Sequence, residues 1–432
     1  MVLCVVLQHS SNAYSGLLWW PVADNNPSLL VEWVGAFIDA FAMPLLFYIA
    51  GYFAVLTINK KGVAAFLKGK LKRLGIPWLI CIFTICPILP LVYHYTRDNF
   101  TLSTSYWNLW VGLLRNAAGF NIGIIFSMNA LMLNNQFYQR YMWFLSLLLL
   151  FFFVFSAIYS LKRSWFDPFN KPAITETSSV LSTLMILAAV GLLTFFCSLI
   201  MIGAMFILAP RLSNPEPFFT LGNVIQFRPS RLFLFVIYFT FGILTFKNKW
   251  IERGKFSGRL PTWIISFVIV LTAFFYTCNL MLNGAEDLKK ILDPVFFFFL
   301  NVLTITTLGL STSLALQYWN LPTAVNQNLA RNSYNMYLAH YLFVIVLQLL
   351  LLTVSGMAGL LKFGIVSVLS IICTYVVCRF GLRFVKYDDI GRPALNSEPL
   401  TGGIDFISQT PGSPWYATIF SKIRGGSSLA GA

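Results

Sequence analysis

Three histidines stand in the 432-residue chain, and two of them, His9 and His340, fall inside strongly apolar runs. An ionisable side chain in such a run is expensive to place in a bilayer and marks a functional position by default. His9 lies in VLCVVLQHSSNAYSG, where Gln8, Ser10, Ser11 and Asn12 supply the polar neighbours of a wet cavity. A histidine there can take a proton from an acceptor near neutral pH. Asp39, in GAFIDAFAMPLLF, is the other ion among apolar residues. Two roles stay open for it: orienting His9 through a hydrogen bond, or being held by a polar partner of its own. His94, between Tyr93 and Tyr95 at the end of a run, reads as an interfacial residue. Seven scattered cysteines with no CxxC pair give neither a disulfide framework nor a thiolate metal site, and no metal is expected.

The elements that position these residues follow from composition. Of the chain, 58% is hydrophobic and 10% charged, against about 25% charged in an average soluble protein. So much apolar side chain needs the bilayer as solvent. A spanning helix takes about 20 apolar residues, and such runs occur near 1–20, 33–58, 74–93, 141–161, 182–209, 230–246, 261–282, 294–316, 334–355 and 359–386. The expectation is an all-α polytopic membrane protein of about ten transmembrane helices, with residues 1–386 as one membrane domain. The stretch 106–126 carries Arg115, Asn116 and Asn121 and reads as interfacial or re-entrant.

The net charge of +15 is unevenly spread. Lys60, Lys61, Lys68, Lys70, Lys72 and Arg73 crowd the connection after the second run, which places it in the cytoplasm. Alternation then brings the basic segments 162–181 and 247–260 and the C-terminal tail to the same side, with both termini cytoplasmic. Orientation accounts for the charge, and no nucleic acid is needed. The tail 387–432, rich in Pro, Gly and Ser, is expected to be a disordered cytoplasmic extension.

Five segments share a pattern: MPLLFYIAGYF (43–53) with KGKLKRLGIPWL (68–79), YMWFLSLLLLF (141–151), FTFGILTFKNKWIE (239–252) and NSYNMYLAHYLFV (332–344). Together they resemble the acyltransferase 3 family of multispanning membrane acyltransferases, nearest the branch containing the protein that succinylates periplasmic glucans. The resemblance implies transfer of a small acyl group, acetyl or succinyl and not aminoacyl, from cytoplasmic acyl-CoA to a hydroxyl of an envelope carbohydrate. It implies a multi-pass protein of the bacterial inner membrane, with acyl-CoA as donor substrate and no resident cofactor. His9 matches the family's first-helix histidine, its base, and His340 the late-helix histidine, assigned to substrate binding. Trp143 and Phe144 match an aromatic pair that serves either as interfacial anchors or as a substrate wall. Lys68, Lys70, Lys72 and Arg73 lie on the side where acyl-CoA is found and could clamp its phosphates, although orientation already explains them.

One departure stands out. The family's arginine about three turns before the histidine would precede Met1, and only a short apolar lead-in comes before His9. The first helix is therefore expected to be either short and tilted or incomplete at its start. Two other readings follow: a secondary transporter, whose matching halves are not visible in the sequence, and a catalytically inactive family member.

Overall fold

A computed structural model describes residues 1–17, 20–97, 105–119, 122–125, 139–166, 180–208, 218–251, 260–284, 286–319 and 323–381. The expected tail 387–432 lies outside the described residues. Helix dominates throughout, and the chain is an all-α polytopic membrane protein.

The expected runs appear as α1 (Val2–Ser11), α2 (Leu29–Lys61), α3 (Val63–Lys70), α4 (Ile76–Thr84) and α5 (Ile88–Arg97), then α6 (Tyr106–Ala118) and α7 (Trp143–Leu161). They continue as α8 (Val180–Leu208), α9 (Pro229–Lys247), α10 (Leu260–Asn283), α11 (Glu286–Leu314), α12 (Ala324–Leu352) and α13 (Gly359–Val376). Among the described residues, 8 helices are long and apolar enough to cross a membrane, one of them the broken run Val63–Arg97. The other two expected runs are α8, with Met185–Met201 as its shorter apolar part, and α1, whose 10 residues fall short of a span. The 13-residue α6 is also too short to cross, as its polar side chains suggested.

Lipid-facing stripes show in the exposure of Ile76, Leu79 and Ile80 on α4, and of Leu192, Phe196 and Ile200 on α8. The run from α3 to α5 is interrupted twice. A π-helical segment occupies Leu71–Gly75, and residues 85–87 form a turn ahead of α5. There Pro87 has no amide hydrogen to continue the helix, and the Cys86 amide reaches back to the Cys81 carbonyl at 3.0 Å.

The tightest helix contact joins α2 and α9. A Cβ on Gly51 would strike the backbone of Phe239, and one on Gly242 the backbone of Tyr48. Small residues let helix backbones close in this way where no hydrophobic force separates helix from lipid. Further along the same pair, Asp39 of α2 meets Arg231 of α9. These contacts, spaced alike along both helices, show that α2 and α9 run parallel.

A small antiparallel sheet was not expected. Strand β1 (Ile122–Ile125) pairs with β2 (Phe218–Leu221), and β2 with β3 (Ile225–Phe227), in register Ile122↔Leu221 and Phe219↔Phe227. The β2–β3 turn holds Gly222 and Asn223 at φ 61° and 59°, the two left-handed positions that suit a tight hairpin. Asn223 Nδ2 donates to the carbonyls of Asn116 and Gly119 and so caps the end of α6.

Candidate active site

His9 sits at the C-terminal end of α1, where helix carbonyls lack internal partners. Gln348 of α12 supplies them: its Nε2 donates to the carbonyls of His9 at 3.1 Å and Ser10 at 3.2 Å. The same side chain, through Oε1, accepts from Trp20 Nε1 at 2.8 Å. Trp20 in turn stacks on the His9 ring, with centroids 5.5 Å apart and planes 17° from parallel. One buried amide therefore fixes both the backbone and one ring face of the histidine.

The loop that carries Trp20 is tied down at several points. Arg97 donates to the carbonyls of Trp20 and Pro21. Asp24 accepts from Lys362 of α13 at 2.5 Å, with both side chains 3% exposed. Gly359, at the start of α13, lies directly against the backbone of Asn26.

Tyr341 of α12 meets the His9 ring edge-on at 5.0 Å and stacks on Tyr141 at 4.3 Å. Two reciprocal hydrogen bonds, Tyr141 to the Leu338 carbonyl and Tyr337 to the Tyr141 carbonyl, lock the start of α7 onto α12. His340, fully buried, places its ring 5.2 Å from that of His9. Its Nδ1 lies 2.6 Å from the Tyr337 carbonyl. A carbonyl only accepts, so Nδ1 carries the proton, and the remaining nitrogen, Nε2, has no hydrogen-bond partner among the described residues. The structure thus brings together two histidines separated by most of the sequence.

Asp39 lines the same cavity, but its carboxylate is held elsewhere. Arg231 Nη1 donates to Oδ2 at 2.6 Å, and Gln8 Nε2 to Oδ1 at 3.2 Å. His9 Nδ1 has no hydrogen-bond partner among the described residues. Of the two roles the sequence left open, the geometry fits a carboxylate engaged by its own partners, with no hydrogen bond from Asp39 to His9. The physical reason is that a guanidinium opposite on α9 is the stronger partner for a carboxylate in a poorly solvated wall.

The cavity measures about 100 Å³. Gln8 and His9 of α1 with Asn12 just after it, Asp39 and Met43 of α2, and Trp20 form one side. Arg140, Tyr141, Trp143, Tyr337 and Tyr341 form another, while Phe218, Arg228, Arg231 and Phe235 complete it from the hairpin and α9. Trp143 is a wall residue, 5.7 Å from Phe235. Phe144 is not; it packs into the core against Phe47 and Tyr337. The aromatic pair therefore divides, because neighbouring residues of a helix point about 100° apart.

Lys68, Lys70, Lys72 and Arg73 lie on α3 and the π-helical segment and do not line this cavity. Lys68, Lys72 and Arg73 are exposed. Lys70 instead stands over the Phe152 ring at 4.0 Å, a cation–π contact of the kind that desolvated lysines make.

Sequence reasoning did not find Trp20, Gln348 or the arginines Arg140, Arg228 and Arg231. A glutamine in QLLLL near the end of an apolar run was the one available signal for Gln348.

A multi-pass bundle encloses a cavity lined by His9, with the His340 ring packed beside it at 5.2 Å. The family model for the acyltransferase 3 family, an acyltransferase domain, matches residues 1–379, and the chain belongs to that family. No curated protein and no solved structure matches it. Membership makes this a membrane acyltransferase whose acceptor bears a hydroxyl.

Proposed function

We propose that the protein is an O-acyltransferase of the bacterial inner membrane that moves acetyl or succinyl from cytoplasmic acyl-CoA to a hydroxyl of an envelope carbohydrate. The observation that carries this reading is His9 in a polar cavity of an otherwise apolar bundle, with its ring held by Trp20 and Tyr341. A hydroxyl attacks a thioester poorly until its proton is withdrawn. In this mechanism His9 takes that proton as the acceptor oxygen bonds to the acyl carbon. The C–S bond breaks, and the departing thiolate takes the proton back, which leaves ester and free CoA. His340 adjoins the base, and Trp143 walls the acyl or sugar moiety. Lys68, Lys70, Lys72 and Arg73 attract the donor's phosphates as a basic segment on the cytoplasmic side.

The test uses the full chain in a strain lacking its own copy. Envelope glycans should carry added acyl groups with the wild type, and His9→Ala should lower the rate by about 10²–10⁴-fold, the usual contribution of a general base. Acylation at the level of the deletion strain for both proteins would sink the reading.

A further inference from the structure

We infer that His340 is a positioning residue for the base: its Nε2 accepts a hydrogen bond from His9 Nδ1–H and holds His9 in the tautomer whose Nε2 is free to take a proton. The inference rests on reading His9 as the base of acyl transfer. It starts from where the nitrogens of each ring lie. His9 lines the cavity, yet its Nδ1 is buried and has no hydrogen-bond partner among the described residues. Nε2 is therefore the nitrogen that meets the acceptor hydroxyl. A neutral imidazole carries one proton on its two nitrogens. For Nε2 to act as a base that proton must sit on Nδ1, which makes Nδ1 a buried donor in need of an acceptor.

His340 supplies the matching acceptor. Its Nδ1 proton goes to the Tyr337 carbonyl at 2.6 Å, three residues back along α12, so the ring is set by its own helix. That leaves a lone pair on Nε2, which is also buried and without a partner among the described residues. The two rings are neighbours, with centroids 5.2 Å apart and planes 33° from parallel. A donor and an acceptor thus lie side by side, each unpaired, where a buried polar group without a partner is costly. The bond is open in the resting geometry, as catalytic hydrogen bonds often are before substrate binds, and a turn of either ring, or one water, closes it.

Other groups around His9 are already engaged. Asp39 accepts from Arg231 and Gln8, Gln348 Oε1 accepts from Trp20, and the Tyr141 hydroxyl donates to the Leu338 carbonyl. His340 itself is 0% exposed and, unlike Tyr337 and Tyr341 on the same helix, does not line the cavity. It reaches the reaction only through His9. Which nitrogen of a histidine carries the proton is set by the bond that the other nitrogen makes. When Nε2 takes the hydroxyl proton, both nitrogens of His9 become donors, and the His340 lone pair faces the charge that forms. That proton stays on His9 until the departing thiolate takes it, and His340 keeps its own throughout.

The chain holds three histidines, so nitrogen-15 labelling of histidine in the purified full chain gives few ring signals, and those lost in His9→Ala belong to His9. The spectra are recorded at mildly alkaline pH without substrate. Wild-type His9 should show a protonated Nδ1 and an unprotonated Nε2. His340→Phe, which keeps a ring but no acceptor, should move His9 toward the Nε2–H form. His340→Gln, whose side-chain carbonyl can accept, should keep the Nδ1–H form. In the acylation assay His340→Phe should lower kcat about 10–100-fold at nearly unchanged KM, the worth of one hydrogen bond to a charged group. His340→Gln should restore part of that loss.

A protonated Nε2 on wild-type His9, the same His9 tautomer in His340→Phe, or a raised KM with kcat intact overturns the inference. The last outcome would make His340 a substrate contact. If the variants fail to fold, the wild-type spectrum decides: Nδ1–H on His9 supports the inference and Nε2–H overturns it. Because the spectra need no substrate, a His9 tautomer that follows residue 340 in a protein that acylates no glycan would count against the acyl-transfer reading alone.

Discussion

Gln348 is the residue on which the geometry of His9 turns, although it lies outside the cavity wall. Gln348→Leu removes its bonds to Trp20 and to the carbonyls of His9 and Ser10. Buried groups left without partners cost about 1–3 kcal/mol each. The expected result is a lower Tm together with a fall in kcat at nearly unchanged KM, because a positioning residue acts on the orientation of the base. A fall in Tm with kcat intact would mean that it only supports the fold. Asp39 allows a second prediction. Asp39→Ala removes the carboxylate with which Arg231 pairs, and since the pair is partly exposed the loss should be about 1–3 kcal/mol, below that of a fully buried pair. Adding Arg231→Met should recover most of it in a denaturation double-mutant cycle; additive losses would show that the two do not act as a pair. At this scale the sequence revealed the ionisable residues and not their partners. His9 stood out by its polar neighbours, and the resemblance linked it to His340. The partners Arg231, Trp20 and Gln348 come from packing between distant helices, which no local spacing encodes.

Helices were the legible elements, because most apolar runs had the length that a bilayer demands. The hairpin was not. Strands of four and three residues carry too little alternation to be seen, and their stability comes from Gln139 and Asn223 contacts across the fold. The glycine contact between α2 and α9 was equally hidden, since Gly51 and Gly242 are ordinary residues in membrane helices until their facing is known. That contact sets the distance at which Asp39 meets Arg231, so it bears on the cavity as well as on stability. Gly242→Ala would drive a methyl into the backbone of Tyr48 and Tyr52. Overpacking of this kind costs about 1–3 kcal/mol, and a lower Tm of the purified protein should report it. Gly112→Ala on α6, where no described residue lies within 4 Å of the added methyl, is the control. Greater helix propensity there, up to about 1 kcal/mol, predicts an unchanged or raised Tm. Equal losses from the two substitutions would refute close packing as the reason for Gly242.

For the whole molecule, the arrangement that matters is which substrate reaches His9 from which side. Charge alternation puts the end of α2, with Lys60 and Lys61, in the cytoplasm and the β2–β3 hairpin on the opposite face. Phe218, which opens that hairpin, and Arg228, which follows it, line the cavity, so in this orientation the site faces outward. An envelope acceptor would then enter beside the hairpin, while the basic segment Lys68–Arg73 receives the donor from within. The orientation can be measured with single cysteines in a chain whose seven native cysteines are replaced. Val224, 53% exposed in the hairpin turn, and Lys61, exposed at the end of α2, are suitable positions. Val224→Cys should react with a membrane-impermeant maleimide in intact spheroplasts, and Lys61→Cys only after permeabilisation. The reverse pattern would turn the bundle over and place the basic segment away from acyl-CoA. Labelling of both positions in intact spheroplasts would break the alternation itself, because the three runs between them, 74–93, 141–161 and 182–209, carry the chain across an odd number of times and the six-residue basic cluster could no longer be the cytoplasmic anchor.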